Sequence, residues 1–330
     1  MKANIAVKDN SAVGSRKPVF YSIAKTVKNY TDNKFLVLLF SPAVIFFLIF
    51  SYFPMYGIII AFKDYRFLDG ILGSPWAPHN GLGHFFTMFQ GLTFPRVFMN
   101  TIIISLYKLV FGFPAPILFA LLLNEMRARH YKKIVQTVSY LPHFIGWVIL
   151  AGIFKQFLSP SIGPVGAIME SLGLHPVNFL AEPGWIRTVL VSTSIWKELG
   201  WSTIIYLATM AGINSEIYEA AIIDGANRFK CMLYITLPSL RYVIGFLFTM
   251  SVGNIISDDF DQIYNLTVNV PSVLGVADVI STYTYRQGIV MMDYGYGAAV
   301  GLFRNVIAII MLVITDQILK RTSDGELGIF

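Results

Sequence analysis

Charged residues are scarce in this sequence. Only 13% of its 330 residues are charged, whereas 55% are apolar. A soluble domain carries roughly 25% charged residues, because most of its surface is in contact with water. The deficit argues against one large soluble core and indicates that much of the protein surface is in contact with lipid.

Cysteine and several catalytic motifs are also missing. Cys231 is the only cysteine, so an intrachain disulfide is excluded. No GxxxxGK[ST] phosphate-binding loop occurs, so if ATP drives this protein, another polypeptide must hydrolyse it. His143 has no partner at metal-ligand spacing, and no Ser/His/Asp, Cys/His or paired-carboxylate arrangement stands out. We therefore expect no metal site, no bound cofactor and no enzymatic activity in this chain.

Long apolar segments dominate instead. A bilayer core is about 30 Å thick, and a helix that crosses it needs roughly 20 mostly apolar residues. Six segments meet this length and predict an all-α integral membrane protein with six transmembrane helices: residues 35–62, 97–123, 134–158, 185–210, 240–258 and 296–319. The first segment is too long for a cleaved signal peptide, so we expect it to be retained.

Basic residues are distributed unevenly between the connecting segments. Most of the 25 Lys and Arg residues lie in the two tails and in the second and fourth loops, and the alternate loops carry only Lys63, Arg66, Arg96 and Arg286. Because positive charge is retained in the cytoplasm, both termini are predicted to be cytoplasmic. This distribution also accounts for the net charge of +6 without a nucleic-acid partner, so we expect none.

Two outer loops, residues 63–96 and 263–295, are long and rich in Gly, Pro, Tyr and Asp. Residues 80–89 within the first loop are typical of a short interfacial helix with an apolar face. Long ordered loops are usually functional, although these loops could also serve only to cap the helix bundle.

The cytoplasmic loop of residues 213–238 is unusually long and amphipathic. Asn214 or Ser215 can cap a helix, and acidic residues in or near its first turn suit the positive end of the helix dipole. Gly225 can adopt the left-handed backbone of a sharp turn. A second helix over residues 226–236 follows, so we predict a helix–turn–helix across the inner face of the membrane.

This loop resembles the EAA loop of binding-protein-dependent type I ABC importers. It follows the family pattern EAA-x2-DGA-x8-I-x-LP throughout, and the matching residues include Glu219, Ala220, Ala221, Asp224, Gly225, Ala226, Leu237 and Pro238. Met232 departs from a common Phe, and Arg241 and Tyr242 replace a frequent small or Pro-containing pair. The resemblance implies that the loop is the coupling helix, which docks in a groove of an ATP-hydrolysing subunit, where Glu219 would meet basic groups.

The same resemblance implies a type I ABC importer permease fold and divides the chain. Residues 1–34 would be a cytoplasmic N-terminal tail, and residues 35–96 an added first transmembrane helix with a long outer loop. Residues 97–316 would form the type I transmembrane domain, and residues 317–330 a cytoplasmic C-terminal tail.

Shorter motifs resemble one branch of this family, the oligosaccharide and polysaccharide permeases, which include permeases for alginate-type oligosaccharides and the LplB-like permeases. They lie at residues 52–57, 62–65, 121–125, 140–144, 260–264 and 277–286. The branch implies import of a sugar, expected to be an oligosaccharide, across the bacterial cytoplasmic membrane by alternating access.

Several partners follow from this resemblance. They are a second, different permease, two ATP-binding subunits that bind ATP and Mg, and an extracytoplasmic solute-binding protein. An ion-coupled secondary transporter is the alternative, but its internal repeats and mid-membrane ion site are not found in the sequence. A membrane scaffold or sensor would carry an attached soluble signalling domain, and none is present in the 330 residues.

Polar and aromatic residues within or beside the spans are candidates for the solute path, because charges at membrane depth are rare and usually functional. They are Trp196, Lys197, Trp201, Tyr206, Asn254, Asp258, Asp259, Asp261, Gln262 and Tyr264. Lys108, Lys155, Glu198 and Arg304 are further charges in or near spans. In the alternative interpretation, the charges pair between helices and the aromatic residues belong to the interfacial belt.

Overall fold

The computed structural model describes residues 34–322. The predicted N-terminal tail up to residue 33 and the C-terminal tail from residue 323 lie outside the described residues. The chain divides into two units, residues 1–58 and 59–330. Within the described residues the structure is helical, and β pairing is confined to one antiparallel bridge between Lys63 and Trp76.

The described part of the first unit is a single apolar helix. Helix α1, Lys34–Phe62, begins as an α-helix, passes through a π-helical turn at Leu48–Tyr52 and ends as a 3₁₀-helix from Phe53. Its 29 residues have a mean hydropathy of 2.4 over the most apolar window, so it is long and apolar enough to cross a bilayer. This agrees with the prediction of a span over residues 35–62.

Eleven helices within the described residues of the second unit are numbered here in chain order. They are α2 (Gly83–Gln90), α3 (Thr93–Glu125), α4 (Arg129–Phe144), α5 (Trp147–Phe157), α6 (Ile186–Ala211), α7 (Ser215–Ile223), α8 (Arg228–Ser239), α9 (Arg241–Gly253), α10 (Phe260–Thr267), α11 (Ile280–Tyr285) and α12 (Tyr294–Thr322). Further helical pieces, left without a number, lie at Gly70–Gly73, Pro164–Ser171, Pro271–Val273 and Leu274–Ala277, and Arg286–Val290 extends α11 as a π-helical turn. Helix α2 occupies the segment predicted to be a short interfacial helix.

Helices α1, α3 and α12 are long and apolar enough to cross a membrane, and the count rises to five if the bent pairs α4–α5 and α8–α9 each form one span. Helix α6 has 26 residues and the predicted position of the fourth span. It is absent from that count because Lys197 and Glu198 lower its apolar character. Several apolar helices are therefore established, whereas a total of six spans stays a prediction.

The third predicted span, residues 134–158, is not one straight helix. Helices α4 and α5 meet at an angle of 105°. Pro142 lies in a 3₁₀ turn at the end of α4, and both Ile145 and Gly146 adopt extended backbone before α5 begins. A continuous apolar stretch predicted a continuous helix here, but the proline and the extended pair break it.

The fifth predicted span, residues 240–258, differs in the same way. Helix α9 covers only Arg241–Gly253, and it is bent by 59° from α8 at Leu240. Pro238 lacks a backbone N–H and so weakens the helix just before this bend. Residues 254–259 form turns and extended chain between α9 and α10.

A close helix–helix approach fixes the position of α4. A Cβ atom placed on Gly200 of α6 would contact the main-chain carbonyl of Ser139. Helices α4 and α6 therefore approach closely at this point, which only glycine permits.

We expect Gly200→Ala to lower stability by about 2 kcal/mol, because an added methyl group in a closely packed site forces the backbones apart. Thermal unfolding of the detergent-purified protein measures this effect. Gly152→Ala on α5 is the matched control, since nothing lies within 4 Å of a Cβ at that position. Equal melting temperatures for both variants would contradict the close approach.

Candidate functional site: a helical hairpin and a cavity

The predicted helix–turn–helix is present, and we call residues 213–238 the coupling hairpin. Asn214 caps α7: its side-chain oxygen accepts a hydrogen bond from the backbone N–H of Glu216 at 3.0 Å. The acidic side chain of Glu216 lies in the first turn, where it suits the helix dipole. Of the two candidate caps, the structure therefore uses Asn214.

The turn between the two helices depends on Gly225. Its φ angle is +81°, in the left-handed region that favours glycine. The N–H of Ala226 donates to the carbonyl of Ala221 at 2.8 Å, and the N–H of Gly225 donates to that of Ile222 at 3.0 Å. These bonds satisfy the last carbonyls of α7 and reverse the chain direction.

The second helix of the hairpin differs in its limits from the prediction. It begins at Arg228, because Asn227 accepts a hydrogen bond from the N–H of Lys230 at 2.8 Å and thereby acts as the cap. It also continues through Leu237 and Pro238 to Ser239 instead of ending at residue 236. Pro238 fits there because it occupies the first turn of a new α-helical segment after the π-helical turn Met232–Thr236.

The motif residues lie on the outside of this hairpin. Glu219, Ala220, Asp224, Gly225 and Pro238 are exposed, and Ala221, Ala226 and Leu237 are half-buried. Beside Glu219, the large apolar side chains of Ile222 and Ile223 are 63% and 85% exposed. The hairpin therefore presents an apolar and acidic surface with nothing of the described chain packed against it.

Two contacts hold the hairpin in place. The hydroxyl groups of Tyr218 on α7 and Thr236 on α8 lie 2.9 Å apart. Arg228 approaches Glu125 at the end of α3, with 4.0 Å between the guanidinium and the carboxylate. The hairpin is thus joined both internally and to the end of a long apolar helix.

A cavity of about 660 Å³ lies between α3, α6, α9 and the turn at residues 254–259. Its lining is mixed, with apolar side chains from all three helices and polar side chains both from these helices and from the turn. The polar and aromatic lining residues are Ser105, Lys108, Phe113, Ser194, Glu198, Trp201, Ser202, Tyr206, Ser251, Asn254, Ser257, Asp258 and Asp259.

The structure brings half of the solute-path candidates to this cavity. Those that line it are Trp201, Tyr206, Asn254, Asp258 and Asp259. Those that do not are Trp196, Lys197, Asp261, Gln262 and Tyr264. The geometry reports position only, so a contact with solute stays a prediction for each of them.

The candidates outside the lining have other surroundings. Lys197 is buried and donates to the carbonyl of His143 at 2.8 Å. Gln262 is fully buried and donates to the carbonyl of Leu190 at 2.6 Å. The other three lie at the periphery: Trp196 packs edge-on against Phe154, Asp261 is exposed in the first turn of α10, and Tyr264 stacks on Phe260.

The charged groups around the cavity contact side chains of other helices, but of the three contacts below only that of Arg304 with Asp258 joins opposite charges. Lys108 donates to the side-chain oxygen of Gln262 at 2.5 Å, and the indole N–H of Trp147 donates to Asp259 at 2.6 Å. Arg304 of α12 lies 3.8 Å from Asp258. These contacts join α3, α5, α10 and α12 to the cavity wall.

Trp201 is supported from behind by a histidine. The rings of His143 and Trp201 are parallel within 1°, with centroids 4.4 Å apart. His143 is in turn held by Glu198, whose carboxylate lies 2.8 Å from its Nδ1 atom. The indole is therefore fixed in orientation while it remains 45% exposed beside the cavity.

Lys108 and Glu198, two of the charges noted within apolar segments, also line the cavity. His143 and Trp147 were not predicted to belong to this site. They join it through Trp201 and Asp259, which are far from them in the chain. Within residues 34–322, no group of three or more His, Cys, Asp or Glu side chains could hold a metal ion.

The outer loop after α1 is internally braced. The ammonium group of Lys63, 6% exposed, donates to the carbonyls of Leu72 and Ser74 at 2.8 and 3.0 Å. The hydroxyl of Ser74 accepts from the N–H of Arg66 at 2.9 Å. This loop is therefore ordered, and it presents Phe67 and Leu68 with exposures of 80% and 96%.

Comparisons with known proteins agree on one family. A family model described as "Binding-protein-dependent transport system inner membrane component" matches residues 112–324. Protein LplB of Bacillus subtilis is 41% identical over 88% of this chain and 89% of its own length. The polygalacturonan/rhamnogalacturonan transport system permease protein YteP of the same organism is 39% identical over 91% of each chain.

Solved structures agree with these relatives. A bacterial ABC transporter involved in import of the acidic polysaccharide alginate contains a chain that is 39% identical to this one, with a TM-score of 0.82. That match covers 91% of this chain and 99% of the other. The alginate transporter in complex with an alginate pentasaccharide-bound periplasmic protein matches equally well, with a TM-score of 0.82.

We expect Arg304→Met to destabilise the protein by roughly 3 kcal/mol, because it leaves the buried carboxylate of Asp258 without its cation. The double variant Arg304→Met/Asp258→Asn removes the charge as well and should recover most of that loss. Thermal unfolding in detergent measures both. If the double variant is no more stable than Arg304→Met alone, the ion pair between these residues is not the cause.

Proposed function

The chain belongs to the family of binding-protein-dependent transport system inner membrane components, and we propose that it imports an oligosaccharide as one half of a transmembrane pair. It is a multi-pass membrane permease of the ABC importer class. The observation that carries the proposed mechanism is the coupling hairpin, whose motif residues are exposed around a glycine turn. Such a surface is suited to receive movement from a soluble ATPase.

The proposed topology has six spans and two cytoplasmic termini in the bacterial cytoplasmic membrane. Helices α1, α3, α6 and α12 would each form a span, and the bent pairs α4–α5 and α8–α9 would supply the others. The basic residues of the tails and of the second and fourth loops support this orientation. The coupling hairpin then lies on the cytoplasmic side.

The proposed assembly contains two permeases, two ATP-binding subunits and an extracytoplasmic binding protein. ATP and Mg would be bound by the ATP-binding subunits, since this sequence has no phosphate-binding loop. Closure of the ATPase pair would move the coupling hairpins and open the path outward, and the release of hydrolysis products would reverse the movement. An ion-coupled transporter would not need this hairpin.

The cavity suits a sugar because the exposed indole of Trp201 offers an apolar face to the C–H groups of a sugar ring. The amide of Asn254 lines the same cavity and can exchange hydrogen bonds with sugar hydroxyl groups. The names of YteP and of the alginate transporter support an oligosaccharide as the solute.

We expect Glu219→Lys and Gly225→Pro each to abolish copurification of an ATP-binding subunit with the affinity-tagged permease. The first change reverses the charge of the docking surface, and the second forbids the positive φ angle of the turn. Glu170→Lys, an equally exposed carboxylate on Pro164–Ser171, is the matched control and should copurify normally. If the ATPase is recovered in full with both hairpin variants, it does not dock on this loop.

We expect Trp201→Ala to reduce oligosaccharide uptake at least tenfold while ATPase copurification stays normal, because loss of a stacking aromatic in a binding site costs on the order of 2 kcal/mol. A deletion strain complemented with each variant is supplied with labelled arabino-, galacturono- and alginate oligosaccharides. Trp196→Ala, outside the cavity, is the control. If deletion of this permease leaves the uptake of every oligosaccharide in the panel unimpaired, the proposal that the solute is a sugar is wrong.

A further inference from the structure

The hydrogen bond between Tyr218 and Thr236 is the feature of the coupling hairpin that the family motif does not include. Tyr218 lies immediately before Glu219 on α7 and is half-buried, whereas Thr236 on α8 is only 1% exposed. Their hydroxyl oxygens are 2.9 Å apart. The bond therefore joins the two arms of the hairpin on the side that faces away from the exposed motif surface.

Side-chain packing at the turn does not set the angle between these arms. Gly225 has no side chain, and nothing lies within 4 Å of the position that a Cβ would take. The turn is held by the main-chain hydrogen bonds of Gly225 and Ala226. The hydroxyl pair joins the two arms at a distance from the turn. A bond at that distance restrains the angle between α7 and α8 more strongly than the glycine does.

Helix α8 is itself interrupted where the bond attaches. Thr236 ends the π-helical turn that starts at Met232, and its hydroxyl also lies 3.5 Å from the carbonyl of Cys231, five residues earlier. Pro238 follows two residues later, and α9 departs at 59°. A helix with a π-helical turn and a proline bends easily, and π-helical turns often occur at functional sites.

We propose that Tyr218 and Thr236 are positioning residues that hold the two arms of the coupling hairpin at a fixed angle, so that movement of α7 reaches α9 instead of being absorbed within the hairpin. This inference rests on the proposed docking of the hairpin on an ATP-binding subunit. The hydroxyl pair lies apart from the exposed motif surface, so its loss leaves docking and ATP hydrolysis unchanged. It lowers the amount of solute imported per ATP hydrolysed.

The test measures solute imported per ATP hydrolysed. The complete importer, with its own ATPase, second permease and binding protein, is reconstituted in proteoliposomes and supplied in turn with labelled arabino-, galacturono- and alginate oligosaccharides. Tyr218→Phe and Thr236→Val should each lower this ratio about fivefold, the factor that corresponds to the roughly 1 kcal/mol of one hydrogen bond. ATPase copurification should stay unchanged. Tyr131→Phe is the control, because it also removes a tyrosine hydroxyl but lies on α4, outside the hairpin. It should leave the ratio unaltered.

The double variant Tyr218→Phe/Thr236→Val separates two explanations. If the single variants fail only because one buried hydroxyl has lost its partner, removing both hydroxyls restores the ratio, and the positioning role is wrong. If the bond itself provides the stiffness, the double variant stays as uncoupled as either single variant. An unchanged ratio in both single variants also overturns the inference, while the proposed function stands. Failure of the unaltered complex to import any sugar would overturn the proposed function instead.

Discussion

The interruption of the chain between α9 and α10 is the constraint on which the cavity depends. Backbone polar groups inside a membrane bundle are tolerated only when they are buried in protein or face a water-filled space. Residues 254–259 meet this condition by lining the cavity, and they bring Asn254, Asp258 and Asp259 to its wall. The two carboxylates are then held by Arg304 and Trp147, from helices on either side.

The cavity and the coupling hairpin are joined through one apolar cluster. Ile117, Leu121, Tyr206, Met210 and Leu240 pack together, and Met232 and Leu237 of the hairpin pack against them. Tyr206 belongs to this cluster and also lines the cavity. In the proposed mechanism, a displacement of the hairpin would therefore act on side chains of the cavity wall with no intermediate loop. Close-packed protein interiors have low compressibility, so they transmit movement instead of absorbing it.

The hairpin could be predicted from sequence in detail, because its features are local: a cap at Asn214, a glycine turn and a fixed spacing of motif residues. The bends in the third and fifth predicted spans could not be predicted in this way. A window of apolar residues is the same whether Ile145 and Gly146 are helical or extended, and Pro142 alone does not show that the chain turns by 105° at this point. Contacts such as that of Lys108 with Gln262 join residues that are far apart in the chain. The charge of Lys108 was visible in the sequence, but its partner was not.

Internal pairing of the charges bears on how a sugar is recognised. Glu198, Asp258 and Asp259 each already have a partner within this chain, so their charge is used to hold the helices around the cavity. What remains for the proposed solute is a set of neutral features, namely the indole of Trp201 and the amide of Asn254. Stacking and hydrogen bonds of this kind act on the hydroxyl and C–H groups common to all sugars. In the proposed assembly, discrimination between neutral and acidic oligosaccharides would therefore fall to groups outside this cavity wall, on the second permease or on the binding protein that delivers the solute.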